Sequence, residues 1–452
     1  MRIDTNRIPD EVKRVGRLLG EVYLIGGAVI DCFKGYEVKD WDVEVFGLNL
    51  SVVQDILEEN GYECNIVGRS FGVIKISAGG IDMDISVPRR DNKSGIGHKG
   101  FDVQFDPSMT PLEAGSRRDL TINSMYVDLV TGEIVDPFNG VADLERGIMR
   151  ATSHESFVED PLRVLRVMQL LARKGKMVDS STVELCRSMW ADFRDLPSER
   201  VFEEFYKLLM KSENPSMGLR FLAECSWVSH FPELSAMIGC PQNPEHHPEG
   251  DVWEHTLQVV DAAAKLRSSV DRDWQLAFMF ATLLHDTGKP STTAPDMTAH
   301  GHDEAGKEAA ATFMRRITNR RRLIEQVVAL VGAHMRPFQL SRDNRAKGGA
   351  WRRLSNVVRL DVLGKLNRAD GLSRYGKDVL TARHRVSELC DYWYGVLGNK
   401  PVPPVLLGRH VIAKGVKTGK RVGEILKAAY EIQLDSGIVD PDELFDAVMR
   451  ED

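Results

Sequence analysis

Two acidic residues one position apart, Asp40 and Asp42, sit in Lys39-Asp40-Trp41-Asp42-Val43-Glu44-Val45-Phe46, where polar and apolar residues alternate strictly. Alternation at period two predicts a β-strand with Asp40, Asp42 and Glu44 on one face. Alternate side chains stand about 6–7 Å apart, so Asp40 and Asp42 can hold a pair of hard divalent cations, the arrangement that aligns an attacking hydroxyl with a leaving phosphate. Glu44 lies too far along to join Asp40. A third carboxylate would come from a neighbouring strand, and Gly80-Ile81-Asp82-Met83-Asp84-Ile85 offers Asp82 and Asp84 on one face, with Asp84 the catalytic candidate. Upstream, Val22-Tyr23-Leu24-Ile25-Gly26-Gly27-Ala28-Val29 reads as a strand, a double glycine and a helix start. Gly26 and Gly27 would there turn backbone N–H groups toward phosphate oxygens. Strand, glycine turn, helix and then an Asp-x-Asp strand make a coherent set for nucleotidyl transfer by two metals.

A second set surrounds Glu159-Asp160-Pro161-Leu162-Arg163, a helix start with proline tolerated in its first turn. Asp160 and Arg163, three apart, share a face. A carboxylate accepts from an exocyclic amine while a guanidinium donates to a ring nitrogen, which suits the pairing edges of cytosine and adenine and opposes those of uracil and guanine. The plain alternative is an ion pair on a solvated helix. A third set, His255, His285, Asp286, His302, His334 and Asp370, is scattered through a helical stretch, and imidazole with carboxylate suits a transition metal. The fourth is basic. No acidic residue occurs between Tyr392 and Gly423, where Arg409, Lys414, Lys417, Lys420 and Arg421 interleave with glycines, a composition that suits a phosphate chain.

The elements that must position these groups change character along the chain. Val22–Ile25, Trp41–Phe46, Phe71–Ser77, Ile81–Val87 and Met125–Leu129 read as strands. From Asp143 onward apolar residues recur at helical spacing, which predicts an all-helical remainder. Breaks at Pro197–Ser198, Pro241 to Pro248 and Pro401–Pro404 suggest four segments, 1–145, 146–235, 236–390 and 391–452. The 452 residues exclude a single small module. Apolar residues at 42% and charged residues at 28% exclude a disordered chain. No apolar run approaches the ~18 residues that span a bilayer. The six cysteines form no CxxC pair and the first residues lack a secretory pattern, so a cytoplasmic protein is expected. The net charge of −7 means that any polyanion must be met by local patches.

Gly26-Gly27-Ala28-Val29, Asp40-Trp41-Asp42, Arg117-Arg118-Asp119-Leu120-Thr121-Ile122-Asn123, Asp136-Pro137-Phe138-Asn139-Gly140, Glu159-Asp160-Pro161-Leu162-Arg163 and Glu199-Arg200 occur in one order. In that order the chain resembles the class II tRNA nucleotidyltransferases, the bacterial CCA-adding and poly(A) polymerase family, over essentially its full length. Ala281-Thr282-Leu283-Leu284-His285-Asp286-Thr287-Gly288-Lys289 resembles the signature of the HD metal-dependent phosphohydrolases. The resemblance implies an α+β protein, a polymerase-β-like head followed by a nearly all-α neck, an HD domain and an RNA-gripping tail. It implies Mg2+ on Asp40 and Asp42 and one of Arg117 or Arg118 on the nucleotide, with Asp119 in the same motif. Asp160, Arg163 and Arg166 match the amino-acid template that selects CTP and ATP, and tRNA is the implied partner. At the HD cluster a divalent transition metal, of unspecified identity, would activate water on a phosphate ester. Poly(A), CC-only or A-only addition, or an HD phosphodiesterase with a weakened head, are the alternatives. Ile30 departs from the family's arginine in GGxVRD, which implies a weaker hold on the nucleotide.

Overall fold

The computed structural model describes residues 2–38, 40–67, 72–93, 101–342, 348–372 and 377–451. Lys39 and Phe71, each at the start of an expected strand run, lie outside them. The chain forms two compact units, one of residues 1–208 and 217–230, the other of 209–216 and 231–452.

The first unit is built on a seven-stranded sheet. Its strands are β1 Val22–Leu24, β2 Trp41–Val45, β3 Asn65–Val67, β4 Val73–Ala78, β5 Ile81–Ser86, β8 Tyr126–Asp128 and β9 Ile134–Val135, while β6 Arg89–Lys93 and β7 Phe101–Phe105 form a separate hairpin. The order is β3-β4-β5-β2-β1-β8-β9. All neighbours are antiparallel except β2 and β5, which run parallel with Asp42 opposite Asp84. Val43 and Val45 are fully buried, as the alternation requires, and Met83 and Ile85 match them on β5. The charged hairpin β6–β7 carries little β-branched content in its first strand, which is why the sequence pattern passes over it.

Two short strands, Ile148–Met149 and Met177–Val178, pair in parallel beyond Asp143 and correct the expectation of an all-helical remainder. Two-residue strands are too brief to leave a periodic signature. Helix Leu162–Lys174 follows Pro161 and buries Leu162, Val164, Leu165, Val167 and Met168.

The second unit is helical. Helices Val252–Leu266, Arg272–Leu284, His302–Ile317, Arg321–Ala333 and Leu360–Leu372 pack on one another. Residues Ala277 to Leu284 are wholly buried, so the last two turns of the helix Arg272–Leu284 are enclosed on every side and deliver His285 and Asp286 into the interior. Toward the C-terminus, Leu406, Val411, Ile425, Ala429, Leu444, Phe445 and Val448 form a separate small core.

Candidate active sites

In the head, Gly26, two residues beyond β1, has φ +65°, a conformation that favours glycine, and helix Gly27–Lys34 begins at once. A side chain built on Gly26 or Gly27 would meet nothing within 4 Å, so the backbone there faces open space. Asp42 and Asp84 lie side by side on the parallel pair, and exposed Asp40 immediately precedes β2. Lys75 on β4 pairs with Asp84 at 2.7 Å. Burial, then the charges of Asp84 and Asp40, raise the Asp42 carboxyl to about 6 against the opposing pull of Arg118 and Lys75. Three carboxylates crowded together against their own repulsion fit hard divalent cations, which bind through oxygen.

Glu44, third on the same face, is buried and pairs with Arg118 at 2.8 Å. Arg118 also donates to the Asn123 carbonyl and lies over the Tyr126 ring. Arg117 caps the helix Pro111–Ser116, whose start is fixed by a capping box of Thr110 and Glu113. Asp119 is buried and accepts from Leu120 N, from Asn123 Nδ2 and from Arg166 Nε at 2.6 Å. Burial would raise its carboxyl, but Arg166 and Asn123 hold it below the usual range. Asp119 and Arg166 thus form a link between the head and helix Leu162–Lys174.

Asp160 accepts from Leu162 N at 3.0 Å and stands 3.7 Å from Arg200. Arg163 donates to the Ser156 carbonyl and hydroxyl and, at 2.6 Å, to the Arg117 carbonyl. The structure therefore gathers the expected base-reading residues beside Arg117, with three of the five Arg163 N–H groups in use. Ile30 is 1% exposed and belongs to the apolar core.

In the second unit the six expected ligands converge. Nδ1 of His285, His302 and His334 each faces a backbone carbonyl, of Thr282, Ala299 and Val331, at 2.9, 2.7 and 2.6 Å. Only a protonated nitrogen can bond a carbonyl, so each neutral ring carries its proton on Nδ1 and presents a lone pair at Nε2. Those lone pairs meet at Asp286. His285 Nε2 is 3.2 Å from Oδ2, and His302 and His334 Nε2 are 3.5 and 3.7 Å from Oδ1. His302 and His334 Nε2 face each other at 3.2 Å. Two lone pairs aimed at one another make sense around a cation, so the donor set fits a divalent transition metal. His255 Nδ1 is 2.7 Å from Glu249, which turns its Nε2 toward Asp370 at 3.2 Å and Asp286 at 3.6 Å. Burial would raise the Asp286 carboxyl, yet His285 and Lys289 hold it well below the usual range. His334 is driven down to about 3, first by burial and then by His285.

In the tail, Lys414 pairs with Asp442 at 2.9 Å, and Lys420 and Arg421 lie 3.8 and 3.5 Å from Glu424. Arg409 and Lys417 are exposed. The basic run is thus less positive in space than along the chain, because helix Pro441–Glu451 returns acidic residues to it.

Residues 22–150 match the family described as "Poly A polymerase head domain", 177–238 "Probable RNA and SrmB- binding site of polymerase A", and 252–375 "HD domain". The chain is 35% identical over 322 residues to the multifunctional CCA protein of Halorhodospira halophila, covering 70% of this chain and 74% of that one. It belongs to the multifunctional CCA protein family. A second member, from Vibrio parahaemolyticus, is 38% identical over 286 residues, 62% of this chain and 66% of the relative. The fold agrees with the Thermotoga maritima CCA-adding enzyme complexed with tRNA, at TM-score 0.60, 20% identity and coverage of 100% and 96%. It agrees also with the Bacillus stearothermophilus CCA-adding enzyme in complex with CTP, at TM-score 0.69, 18% identity and coverage of 98% and 96%.

Within this multifunctional CCA protein framework, several residues at the two sites escape a reading of sequence. Lys289, one helical turn after Asp286, reaches its Oδ2 at 2.7 Å and Gln242 at 2.7 Å. Its three-residue spacing within His285-Asp286-Thr287-Gly288-Lys289 is the signal that could have found it. Glu249 bonds both His255 and His247, the latter at 2.9 Å, and is held down to about 2 by those two bonds against the effect of burial. His247 was not among the expected ligands, and its half-buried place beside Glu249 sets it against the ring of His255.

Proposed function

We propose that the protein adds C and A nucleotides to the tRNA 3′ end from CTP and ATP by nucleotidyl transfer, within the cytoplasm. The carrying observation is the parallel register that sets Asp84 beside Asp42 next to the open glycine turn. Asp40, Asp42 and Asp84 would hold Mg2+, which supplies positive charge to the phosphates and makes the attacking hydroxyl more acidic. The RNA 3′-oxygen bonds to the α-phosphorus, the bond between α-phosphorus and bridging oxygen breaks, and pyrophosphate leaves. Backbone N–H groups of Gly26 and Gly27 and the side chain of Arg117 bind the triphosphate. Arg118, tied to Glu44, supplies a fixed charge beneath it. Asp160 and Arg163 read the Watson–Crick edge, and Asp119 holds Arg166 and so the helix that carries them. Arg409, Lys414, Lys417, Lys420 and Arg421 meet the RNA backbone. The work divides among residues 1–145, 146–235, 236–390 and 391–452 as head, neck, HD domain and tail.

A second activity, phosphohydrolysis in the HD domain, rests on the converging Nε2 lone pairs of His255, His285, His302 and His334. With Asp286 and Asp370 they would hold a divalent transition metal, which makes bound water a better nucleophile. Lys289 fixes Asp286, and Glu249 fixes His255.

The test is to incubate purified protein with tRNAs ending before, within and after CCA, with each nucleotide separately, and to sequence the products. Completion of CCA and arrest there supports the reading. Extended A tracts, or arrest after CC, would replace it with one of the related polymerase activities.

A further inference from the structure

In the second unit, helices His302–Ile317 and Arg321–Ala333 pack on one another as a hairpin. Its open end carries His302 and His334. Its closed end, Arg315-Arg316-Ile317-Thr318-Asn319-Arg320-Arg321-Arg322, has five arginines in eight residues and no acid, in a chain whose net charge is −7. The first helix is 16 residues long, so this tip stands about 24 Å from the His302 end.

The tip is anchored. Arg316 donates to both carboxylate oxygens of Glu233, at 2.6 and 2.8 Å, and so is tied to the short helix Pro232–Ser235. Ile317 is fully buried, and the Thr318 hydroxyl accepts from Arg320 N at 3.3 Å. Arg315, Arg320, Arg321 and Arg322 are left on the surface. Arg315 and Arg321 lie 3.6 and 2.8 Å from Glu308 and Glu325, but every side chain in these two pairs is more than half exposed, so exchanging the carboxylate for another anion costs little.

Stability does not account for this placement. The helix Arg321–Ala333 begins with two arginines, has no acidic residue in its first turn and receives no side-chain cap from Arg320. A helix N-terminus is partly positive and favours acids, so Arg321 and Arg322 oppose the macrodipole. An external anion relieves that conflict and the mutual repulsion of the guanidinium groups together. Arginine meets phosphate through two parallel hydrogen bonds, and four surface arginines suit a chain of phosphates better than one. A bilayer also offers many phosphates, but basic helices that lie on membranes bring exposed apolar side chains beside their charge. Among the described residues, no large apolar side chain is exposed between Met297 and Val357.

We propose that Arg315, Arg320, Arg321 and Arg322 form an RNA-backbone contact on the HD domain, so that tRNA is held there as well as by the tail. The proposal rests on the reading of tRNA as the substrate.

The experiment titrates full-length protein with a tRNA that lacks its terminal CCA, without nucleotide, over a range of salt. Each lost phosphate contact lowers the slope by about 0.7–0.9, so Arg321→Gln with Arg322→Gln should flatten log K against log salt by about 1.4–1.8. With the two lines meeting at about 1 M salt, binding at about 0.1 M should weaken roughly 25–60-fold. Glutamine matches arginine closely in helix propensity and does not oppose the macrodipole, so the variant should melt no lower than wild type. If it does melt lower, Arg315→Gln with Arg320→Gln repeats the comparison, with the same flattening expected. Arg321→Lys with Arg322→Lys keeps the charge and should keep the slope. Arg14→Gln with Arg17→Gln removes the same charge from exposed positions of the head and should also keep it. An unchanged slope in the glutamine variants, or an equal fall in the Arg14 and Arg17 control, overturns the contact. Vesicles containing phosphatidylserine are the second probe: binding that the glutamine variant loses while its tRNA slope stays that of wild type assigns the arginines to a membrane and overturns the RNA contact. Nucleotide addition to the same tRNA is measured separately. If wild type adds none, the nucleotidyltransferase reading fails, while the salt slopes still decide the contact.

Discussion

Replacing Asp42 by asparagine should abolish nucleotide addition and, in metal-free protein, stabilise the head at neutral pH. Burial and the adjacent charges of Asp84 and Asp40 raise the Asp42 carboxyl from 3.8 to about 6. Ionising it in the folded head therefore costs at most roughly 3 kcal/mol, and solvent screening of this partly exposed group reduces that to about 1–2 kcal/mol. The native state keeps its proton up to about pH 6, whereas the unfolded chain releases it near 3.8. Native stability accordingly declines as pH rises from about 4 to 6, and the deficit persists above that range. Asparagine has the same shape and no such titration. The variant should therefore match wild type most closely near pH 4, draw ahead by pH 6 and stay ahead at pH 7.

Because the chain has two units, global melting would mix their transitions. The appropriate readout is hydrogen–deuterium exchange of peptides covering β2 and β5, comparing the two proteins at the same pH in EDTA. About 1–2 kcal/mol corresponds to a roughly 5–30-fold slower exchange in the variant at pH 7. Excess Mg2+ should then reverse the order, since it binds the wild-type carboxylates and leaves the variant less protected. A difference in protection that is absent, or that does not change between pH 4 and 7, would show that the three carboxylates do not crowd one another.

Ile30→Arg should lower the melting temperature of the head without lowering the KM for CTP or ATP, because the new guanidinium would replace an apolar side chain that the fold buries. A stable variant with an improved nucleotide KM would contradict the packing described for Ile30. Asp160→Ala should relax discrimination against UTP and GTP by roughly 10–100-fold, equivalent to about 1–3 kcal/mol, and single-nucleotide incorporation assays would show it. Asp442→Asn should release Lys414, tighten tRNA binding and steepen the dependence of log K on log salt by up to about 0.7–0.9. An unchanged slope would mean that Lys414 does not face the RNA.

Much of the head was legible because its chemistry lies on regular elements. The alternation through Asp42 and Val43 is a strand pattern, and a parallel neighbour carrying Asp84 in register needed only one further alternating run to be suggested. The role of Glu44 was less visible. Its spacing from Asp40 argued against a shared metal, but only the fold shows that a partner 74 positions away, Arg118, uses its charge. The same holds for Asp119 and Arg166, both assigned to the nucleotide by their motifs and found bonded to each other. A motif records that residues are needed together; it does not say whether they touch the ligand or one another. Ile30 illustrates the converse, since its departure from the family pattern says that an arginine is gone, while its burial says that the space has gone with it.

The HD cluster was legible for a different reason. Its expected ligands come from five places in the sequence with no periodic relation, so the order of recognisable fragments, rather than any physical spacing, brought them together. What that order could not supply is the orientation of each ring. Three carbonyls, of Thr282 and Val331 in the last turns of their helices and of Ala299 in the loop before His302, fix the Nδ1 protons and hence the direction of the lone pairs. Carbonyls belong to every residue type, so no side-chain pattern announces them. The tail shows the same limit acting on charge. Thirty-two positions without an acid, from Tyr392 to Gly423, read as a continuous basic stretch. Chain reversal at Gly437, in the left-handed conformation, then carries Asp442 back to Lys414. A patch defined along the sequence is a statement about local composition, whereas the field an RNA meets is set by whatever the fold returns to that surface.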